Sequence, residues 1–411
     1  MGGKAMDALN KAWYRTFQTA VNIGGRFLYW RKPVPITGQG SSARIPEILR
    51  DCGVTKALVV TGRHVGKSLA PAIIETIRAA GIDCVHFDRV EANPSTVTVH
   101  SVKKLYDEQG CDGFLAIGGG SPIDAAKAAA ALTACPKKTL GDMAGLFKVG
   151  KKLPPFVAVP TTAGTGSETT IAAVITDAET HHKYAIMDLH LVPRYAVLDP
   201  ELTRDLPPQT TATTGMDALT HAVEAYVCWT NNTRESIRLA EEATVTIFKY
   251  LERAYRDGGD MEARGEMLLA AYKAGFAFTR AGVGNVHAIA HTMGGLYGTP
   301  HGLANAVILP IVLEDYGEVV YNKLAHLAEL TGVAVFGTAE EKAKAFIAEV
   351  YAMNRRMGIP LGLDAIREED IPQMVDWALA EANPTYPVPV VYNRERCARV
   401  IRKIKELAQG V

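Results

Sequence analysis

Phe114-Leu-Ala-Ile-Gly-Gly-Gly-Ser-Pro-Ile-Asp124 runs from an apolar stretch through a glycine triplet into an alanine-rich segment reaching Ala134. The apolar residues read as a strand, Phe114 to Ile117, and the segment Ser121 to Leu132 as the helix it feeds. Ser121 suits an N-cap, and Pro122 the first helical position. Glycines at such a turn let backbone amides approach a phosphate, and the helix N-terminus adds partial positive charge. A glycine triplet can also be a simple tight turn. The spacing is not G-x-G-x-x-G, because Ile123 stands at the third glycine position.

The same rhythm continues on both sides. Lys56-Ala-Leu-Val-Val-Thr61, Cys84-Val-His-Phe-Asp88, Pro155-Phe-Val-Ala-Val159 and Tyr195-Ala-Val-Leu198 read as strands, with a helix from Lys67 to Ala80. Strands alternating with helices imply a mostly parallel sheet covered on both faces. A second loop of small residues, Pro160-Thr-Thr-Ala-Gly-Thr-Gly-Ser167, also follows a strand. Two such loops at strand C-termini in one sheet point to a nucleotide cleft. Gly62-Arg-His-Val-Gly-Lys-Ser68 imitates an ATP-type P-loop but has three residues between its glycines where that motif needs four, which excludes it.

Past Leu206-Pro207-Pro208 the pattern becomes helical: Thr210 to Val227, Thr233 to Tyr255, Met261 to Thr279, Lys323 to Leu330, Ala339 to Met357, Ile371 to Ala382 and Arg394 to Leu407. The expected division is therefore a basic helical extension over 1–34, an α/β dinucleotide-binding domain over 35–206 and an all-helical domain over 207–411.

Within the helical half, three of the eleven histidines fall in the fifteen residues 287–301. His287 and His291 are four apart and so share a helix face. Gly294, Gly295 and Gly298 read as breaking that helix, with Thr299-Pro300 leading His301 back toward it. Upstream, Asp217 and His221 repeat the spacing of four. A lone pair of this kind is usually structural, but two pairs and a returning histidine favour a metal site. A carboxylate with imidazoles suits a divalent first-row metal, with iron(II) and zinc both open.

Composition sets the outer bounds. Lys+Arg and Asp+Glu both number 44, so nothing favours nucleic acid or an anionic membrane as partner. No apolar run approaches the ~18 residues of a membrane span, so stable membrane insertion is not expected. The six cysteines are scattered without a Cys-x-x-Cys, which fits a reducing cytoplasm. The first thirty-two residues carry Lys4, Lys11, Arg15, Arg26, Arg31 and Lys32 against Asp7. They read as a helix packed on the body or on a partner subunit.

Taken together, Gly118 to Asp124, Pro160-Thr-Thr-Ala-Gly-Thr-Gly-Ser-Glu168, Gly215-Met-Asp-Ala-Leu-Thr-His-Ala-Val-Glu224 and the stretch 284–302 resemble the iron-containing (group III) alcohol dehydrogenase family. The resemblance runs from about residue 37 onward and leaves 1–30 outside. It implies a Rossmann-like N-terminal domain and an all-α C-terminal domain, the dehydroquinate-synthase-like architecture. It further implies that Asp217, His221, His287 and His301 hold a divalent metal, iron(II) ahead of zinc(II). His291 matches a histidine assigned to substrate or proton relay. Gly118, Gly119, Gly120 and Ser121 match the pyrophosphate cradle. Asn93, Asp124, Thr161, Thr162, Thr165, Ser167 and Lys183 match positions lining the dinucleotide.

One departure stands out. Many NAD-preferring members have an Asp after the Val-Thr that ends the strand Lys56 to Thr61, whereas here Val60-Thr61 is followed by Gly62 and Arg63. Losing that carboxylate removes repulsion toward a 2′-phosphate, and an Arg beside it can pair with one, so NADP(H) is expected ahead of NAD(H). The activity expected is hydride transfer between the nicotinamide and a small primary alcohol, aldehyde or diol, by a cytoplasmic homodimer. Two other readings remain at this point: a metal- and NAD-dependent lyase of the dehydroquinate-synthase type, and a non-catalytic assembly or membrane-associated protein using the basic N-terminus.

Overall fold

The structure is a computed structural model that describes residues 2–180 and 183–410. A helix, α1 (Gly2–Gly25), precedes strands β1 (Val34–Thr37), β2 (Lys56–Gly62), β3 (Asp83–Val90) and β4 (Gly113–Gly118). Then come β5 (Gly145–Leu146), β6 (Phe156–Pro160), β7 (Ala172–Thr176), β8 (Lys183–Met187) and β9 (Tyr195–Leu198). The main sheet has the order β1-β9-β6-β4-β2-β3, and every pairing in it is parallel. Helices α2 (Ile45–Asp51), α3 (Arg63–Ser68), α4 (Ala70–Ala79), α5 (Thr96–Gln109), α6 (Gly120–Ala134) and α7 (Leu140–Met143) lie between the strands in sequence.

The period of two along a strand explains why this sheet is covered on both sides. In β2, Leu58 and Val60 point into one core with Phe114, Ala116, Phe156 and the alanines of α6. Ala57 and Val59 point into another with Leu115, Ile117, Val157 and the isoleucines of α2 and α4. Strands buried on both faces read as continuous apolar runs, which is why they stand out in the sequence. The Phe114 ring stacks on Tyr106 at 4.3 Å, and truncating so large a core side chain to Ala costs about 3–5 kcal/mol.

Two local expectations need correcting. The helix expected over Lys67 to Ala80 is two helices: α3 starts at Arg63 and is capped at Leu69, and α4 begins anew there with Pro71 in its first turn. The N-cap of α6 is Gly119, which places Ser121 and Pro122 inside the first turn. A small second sheet, β5-β8-β7, contains an antiparallel pair between β7 and β8.

The contacts divide the chain into two compact units. The α/β unit comprises Tyr29–Leu206 together with Gly258–Gly275. The helical unit takes the residues up to Leu28, Pro207–Asp257 and the residues from Phe276 onward. Its helices are α8 (Pro208–Val227), α9 (Arg234–Arg256), the end of α10 (Met261–Ala281), α11 (Asn285–Tyr297), α12 (His301–Tyr316), α13 (Glu318–Leu330), α14 (Ala339–Arg356), α15 (Ile371–Ala382) and α16 (Arg394–Ala408). Capping boxes start α9 at Thr233 and α14 at Thr338. Gly294 and Gly295 do not break α11, which continues to Tyr297 and ends at Gly298 with φ 64°. His301 is accordingly the first residue of its own helix. Among the described residues, no helix is long and apolar enough to cross a membrane.

Candidate active site

In the α/β unit, the first feature is a cleft of about 300 Å³ where β2 and β4 end, lined by Gly62, Arg63, Val90, Glu91 and Gly118–Ser121. Gly118 has φ 154°, and a Cβ there would lie 2.7 Å from the Pro122 ring. The Thr161 amide donates to the Gly118 carbonyl at 3.0 Å, joining the two small-residue loops at their bases. The loops stay close beyond that point. A Cβ on Gly119 would sit 3.3 Å from Thr162, and one on Gly120 3.0 Å from Thr165. These glycines thus serve loop-to-loop packing as well as backbone access.

Asp124 is differently employed. Its two oxygens accept from the Ser167 hydroxyl at 2.5 Å and from the Val174 amide at 3.1 Å, so it ties down the second loop. Burial raises its carboxyl above the ordinary range, against the pull of Lys127. Asn93 adopts φ 57°. Its amide donates to Ser121 Oγ at 3.3 Å, and its side-chain oxygen accepts from Lys183 Nζ at 2.7 Å. Asn93, Ser121 and Lys183 thus form one polar strip.

The sequence reading missed Lys127. It stands fully buried amid the alanines of α6. Its ammonium donates to the carbonyls of Ser167 at 2.6 Å, Thr170 at 2.8 Å and Ala172 at 2.9 Å. Burial pushes it down to about 8, against the charges of Asp124 and Glu168.

In the helical unit, α8 presents Asp217 and His221 one turn apart, α11 presents His287, and α12 begins with His301. One donor atom from each of the four lies within 4.8 Å of the others. The sequence explains the close approach of these helices. A Cβ on Gly302 would meet the Thr213 carbonyl at 2.5 Å, and one on Gly284 would meet Glu224 at 2.6 Å. His221 is stacked on Phe278 at 4.2 Å and on His287 at 4.6 Å.

The cluster is rich in acceptors. Asn305 Nδ2 lies 2.6 Å from Asp217 Oδ1 and 3.1 Å from the Nε2 atoms of both His287 and His301. Burial, then the neighbouring histidines, push His287 well below its ordinary value, which leaves a neutral ring. Its Nδ1 pairs at 2.6 Å with Glu224, which also accepts from the amides of Gly284 and Val286 at 2.9 and 2.8 Å. Burial raises Glu224 to about 8, and these donors pull against it. A carboxylate that fixes one ring nitrogen aims the other at the cluster. One oxygen and three imidazole nitrogens converging in this way fit a divalent cation of borderline softness.

His291 stands apart from that set. Its ring lies 5.1 Å from His301, and its Nδ1 pairs at 2.6 Å with Glu381 Oε1 at the end of α15. The Tyr386 hydroxyl donates to the same oxygen at 2.7 Å. Burial alone would raise Glu381, but His291 and Tyr386 hold it below the ordinary carboxylate value. Glu224, Asn305, Glu381 and Tyr386 were not singled out from the sequence. Glu224, three residues after His221, and Asn305, four after His301, stand at helical spacing from a site histidine.

Comparison with known proteins agrees over both units. Residues 34–200 match the family model for iron-containing alcohol dehydrogenase, and 211–405 match that for the C-terminal part of the Fe-containing alcohol dehydrogenase family. The chain is 38% identical over 344 residues to the NAD-dependent methanol dehydrogenase of Bacillus methanolicus, covering 82% of this chain and 90% of that one. It is 37% identical over 336 residues to the NADPH-dependent butanol dehydrogenase of Clostridium saccharobutylicum, covering 80% and 86%. A crystal structure of 1,3-propanediol oxidoreductase superimposes with a TM-score of 0.88 at 35% identity, covering 92% of this chain and 100% of that one.

Proposed function

We propose, from the premise that this chain belongs to the iron-containing alcohol dehydrogenase family, how its residues divide the work of that chemistry. The chain is an NAD(P)-dependent, metal-dependent oxidoreductase acting on small alcohols, aldehydes or diols. The observation that carries the reading is the convergence of Asp217, His221, His287 and His301 within 4.8 Å.

In this reading those four residues hold a divalent metal, iron(II) first and zinc(II) second. When bound, the metal supplies Lewis-acid polarisation of the substrate oxygen, and the nicotinamide donates or accepts hydride. Glu224 keeps the His287 ring oriented, and Asn305 holds the Asp217 carboxylate. His291 moves the proton between the substrate oxygen and the surroundings, with Glu381 and Tyr386 fixing its Nδ1 side. Gly118, Gly119, Gly120 and Ser121 present backbone amides to the pyrophosphate. Thr161, Thr162, Thr165, Asn93 and Lys183 line the dinucleotide, while Asp124 and Ser167 brace the loop that carries it.

Preference for NADP(H) rests on Gly62 and Arg63, which line the cleft at the end of β2 where a carboxylate would otherwise meet a 2′-phosphate. A cytoplasmic homodimer is the state this reading assigns: the scattered free cysteines fit a reducing compartment, and a homodimer is the default for such an enzyme.

The test is metal-stripped protein reloaded with Fe(II) or Zn(II) and assayed with butyraldehyde and NADPH or NADH. Restored oxidation of NADPH by one metal, faster than that of NADH, is expected. Failure to take up either metal would overturn the assignment of the four ligands, and uptake without turnover would overturn the division of roles among the residues around them.

A further inference from the structure

The segment Pro384-Thr-Tyr-Pro-Val-Pro389 contains three prolines and therefore has few N–H groups of its own. Its carbonyls need donors from elsewhere, because buried backbone acceptors left unpaired are costly. Most of these donors come from α1. Gln18, only 1% exposed, donates from one amide nitrogen to the carbonyls of Pro384 at 3.1 Å and Tyr386 at 2.7 Å. Arg15 donates to Val388 at 2.7 Å and to Pro389 at 2.8 Å. Arg15 also donates to Gln18 Oε1 at 2.9 Å, so the two side chains act as one bracket. The Arg15 guanidinium lies 4.5 Å over the Trp229 ring, and the Trp229 amide donates to Pro387 at 2.7 Å.

The polar side chains Arg15, Gln18 and Asn22 of α1 are turned toward the protein beside Tyr14 and Phe17, while Leu9, Trp13 and Ile23 remain exposed. What the polar face grips is the segment whose Tyr386 hydroxyl donates to Glu381, the partner of His291. Moreover, α1 lies outside the family match, which begins at residue 34.

We propose that α1 is a positioning element of the reaction centre: Arg15 and Gln18 fix the 384–389 segment, and through Tyr386 they set the Glu381–His291 pair. The proposal rests on the proton-relay reading of His291. Neither Arg15 nor Gln18 touches substrate; they act through the backbone they hold.

The experiment is a mutant cycle in the full-length, metal-loaded enzyme. The double variant Arg15→Ala/Gln18→Ala should lower kcat between about 10- and 100-fold, the range expected when an aligned group is displaced by an ångström. Metal content and KM for NADPH should stay unchanged. Tyr386→Phe should lower kcat by a similar factor, and adding it to the double variant should cost little more, because both changes break one chain of contacts. Losses that multiply would overturn the proposal. So would wild-type kcat in Arg15→Ala/Gln18→Ala while His291→Ala is impaired. Wild-type kcat in His291→Ala would instead sink the relay reading beneath it. Should the double variant not accumulate as folded protein, Arg15→Lys decides, since one nitrogen cannot reproduce the fork by which two guanidinium nitrogens reach Val388 and Pro389. A severalfold loss in its kcat at unchanged KM is expected, and an unaltered kcat would overturn the proposal equally.

Discussion

Lys127 Nζ donates to the Ser167 carbonyl at 2.6 Å, so a charge buried in α6 holds the loop that the sequence marks as dinucleotide-binding. The same ammonium bonds Thr170 and Ala172 and offsets the carboxylates of Asp124 and Glu168. Replacing it with Ala leaves those groups buried without their partner, a change that typically costs roughly 3–5 kcal/mol. Lys127→Ala should lower the urea midpoint accordingly and raise KM for the nicotinamide dinucleotide. A raised KM without loss of stability, or the converse, would show that anchoring the loop and compensating the carboxylates are separate tasks.

Glu168 gives a dependence on pH with a definite sign. Burial raises its carboxyl to about 7 from an ordinary value of 4.5. The folded state therefore binds more protons than the unfolded chain between these values, and stability falls as pH rises through that window. The slope from this one group approaches about 1.4 kcal/mol per pH unit in mid-window. Glu168→Gln should flatten unfolding free energy between pH 5 and 7 relative to the wild type. Parallel curves for the two proteins would contradict the assignment.

On the proposed NADP(H) reading, Gly62→Asp should shift the cofactor preference toward NAD(H). The backbone there is unstrained at φ −82°, but a Cβ would lie 3.1 Å from the Val90 carbonyl, so the strand end must yield slightly. A carboxylate at this place would repel a 2′-phosphate and bond a ribose hydroxyl. The NADP/NAD ratio of kcat/KM should fall at least roughly tenfold, equivalent to about 1.4 kcal/mol.

Glu224→Gln tests whether the carboxylate behind His287 tunes the metal. The amide would turn either an N–H or a weaker acceptor toward Nδ1 and the two backbone amides. Affinity for Fe(II) or Zn(II) should weaken by about 10–100-fold, measured by competition with a chelator. Unchanged affinity would reduce Glu224 to a structural role at the start of α11.

His301→Ala and His291→Ala should separate in their effects. The first should lose metal and activity together. The second should keep metal, read by elemental analysis, and lose rate by roughly 10²–10⁴-fold, the range for a general acid or base. Equal metal loss in both would merge His291 into the ligand set.

Much of this was legible because it is local. The β4–α6 turn and the helix pairs at 217/221 and 287/291 are short-range patterns, and the strands of the main sheet show as apolar runs because both their faces are buried. What could not be read is separated along the chain. Glu224 lies 63 residues from His287, and Glu381 lies 90 from His291. No periodicity links such pairs. Lys127 was hidden by its alanine neighbours, which suggested only close packing. Gly294 and Gly295 misled in the other direction. Each costs a helix interior only about 1 kcal/mol, and a Cβ on Gly295 would meet Trp377 of α15 at 3.5 Å, so tertiary packing kept α11 intact.

The seating of Arg15 over Trp229 gives the chain a built-in optical gauge. An indole capped by a cation on one face emits differently from one opened to water, and Trp229 is already 47% exposed. With the other three tryptophans, Trp13, Trp30 and Trp377, replaced by Phe, emission from Trp229 would report whether α1 is docked without any added label. The seating of α1 is thus readable from the chain's own fluorescence, with Arg15→Ala as the reference for an uncapped indole.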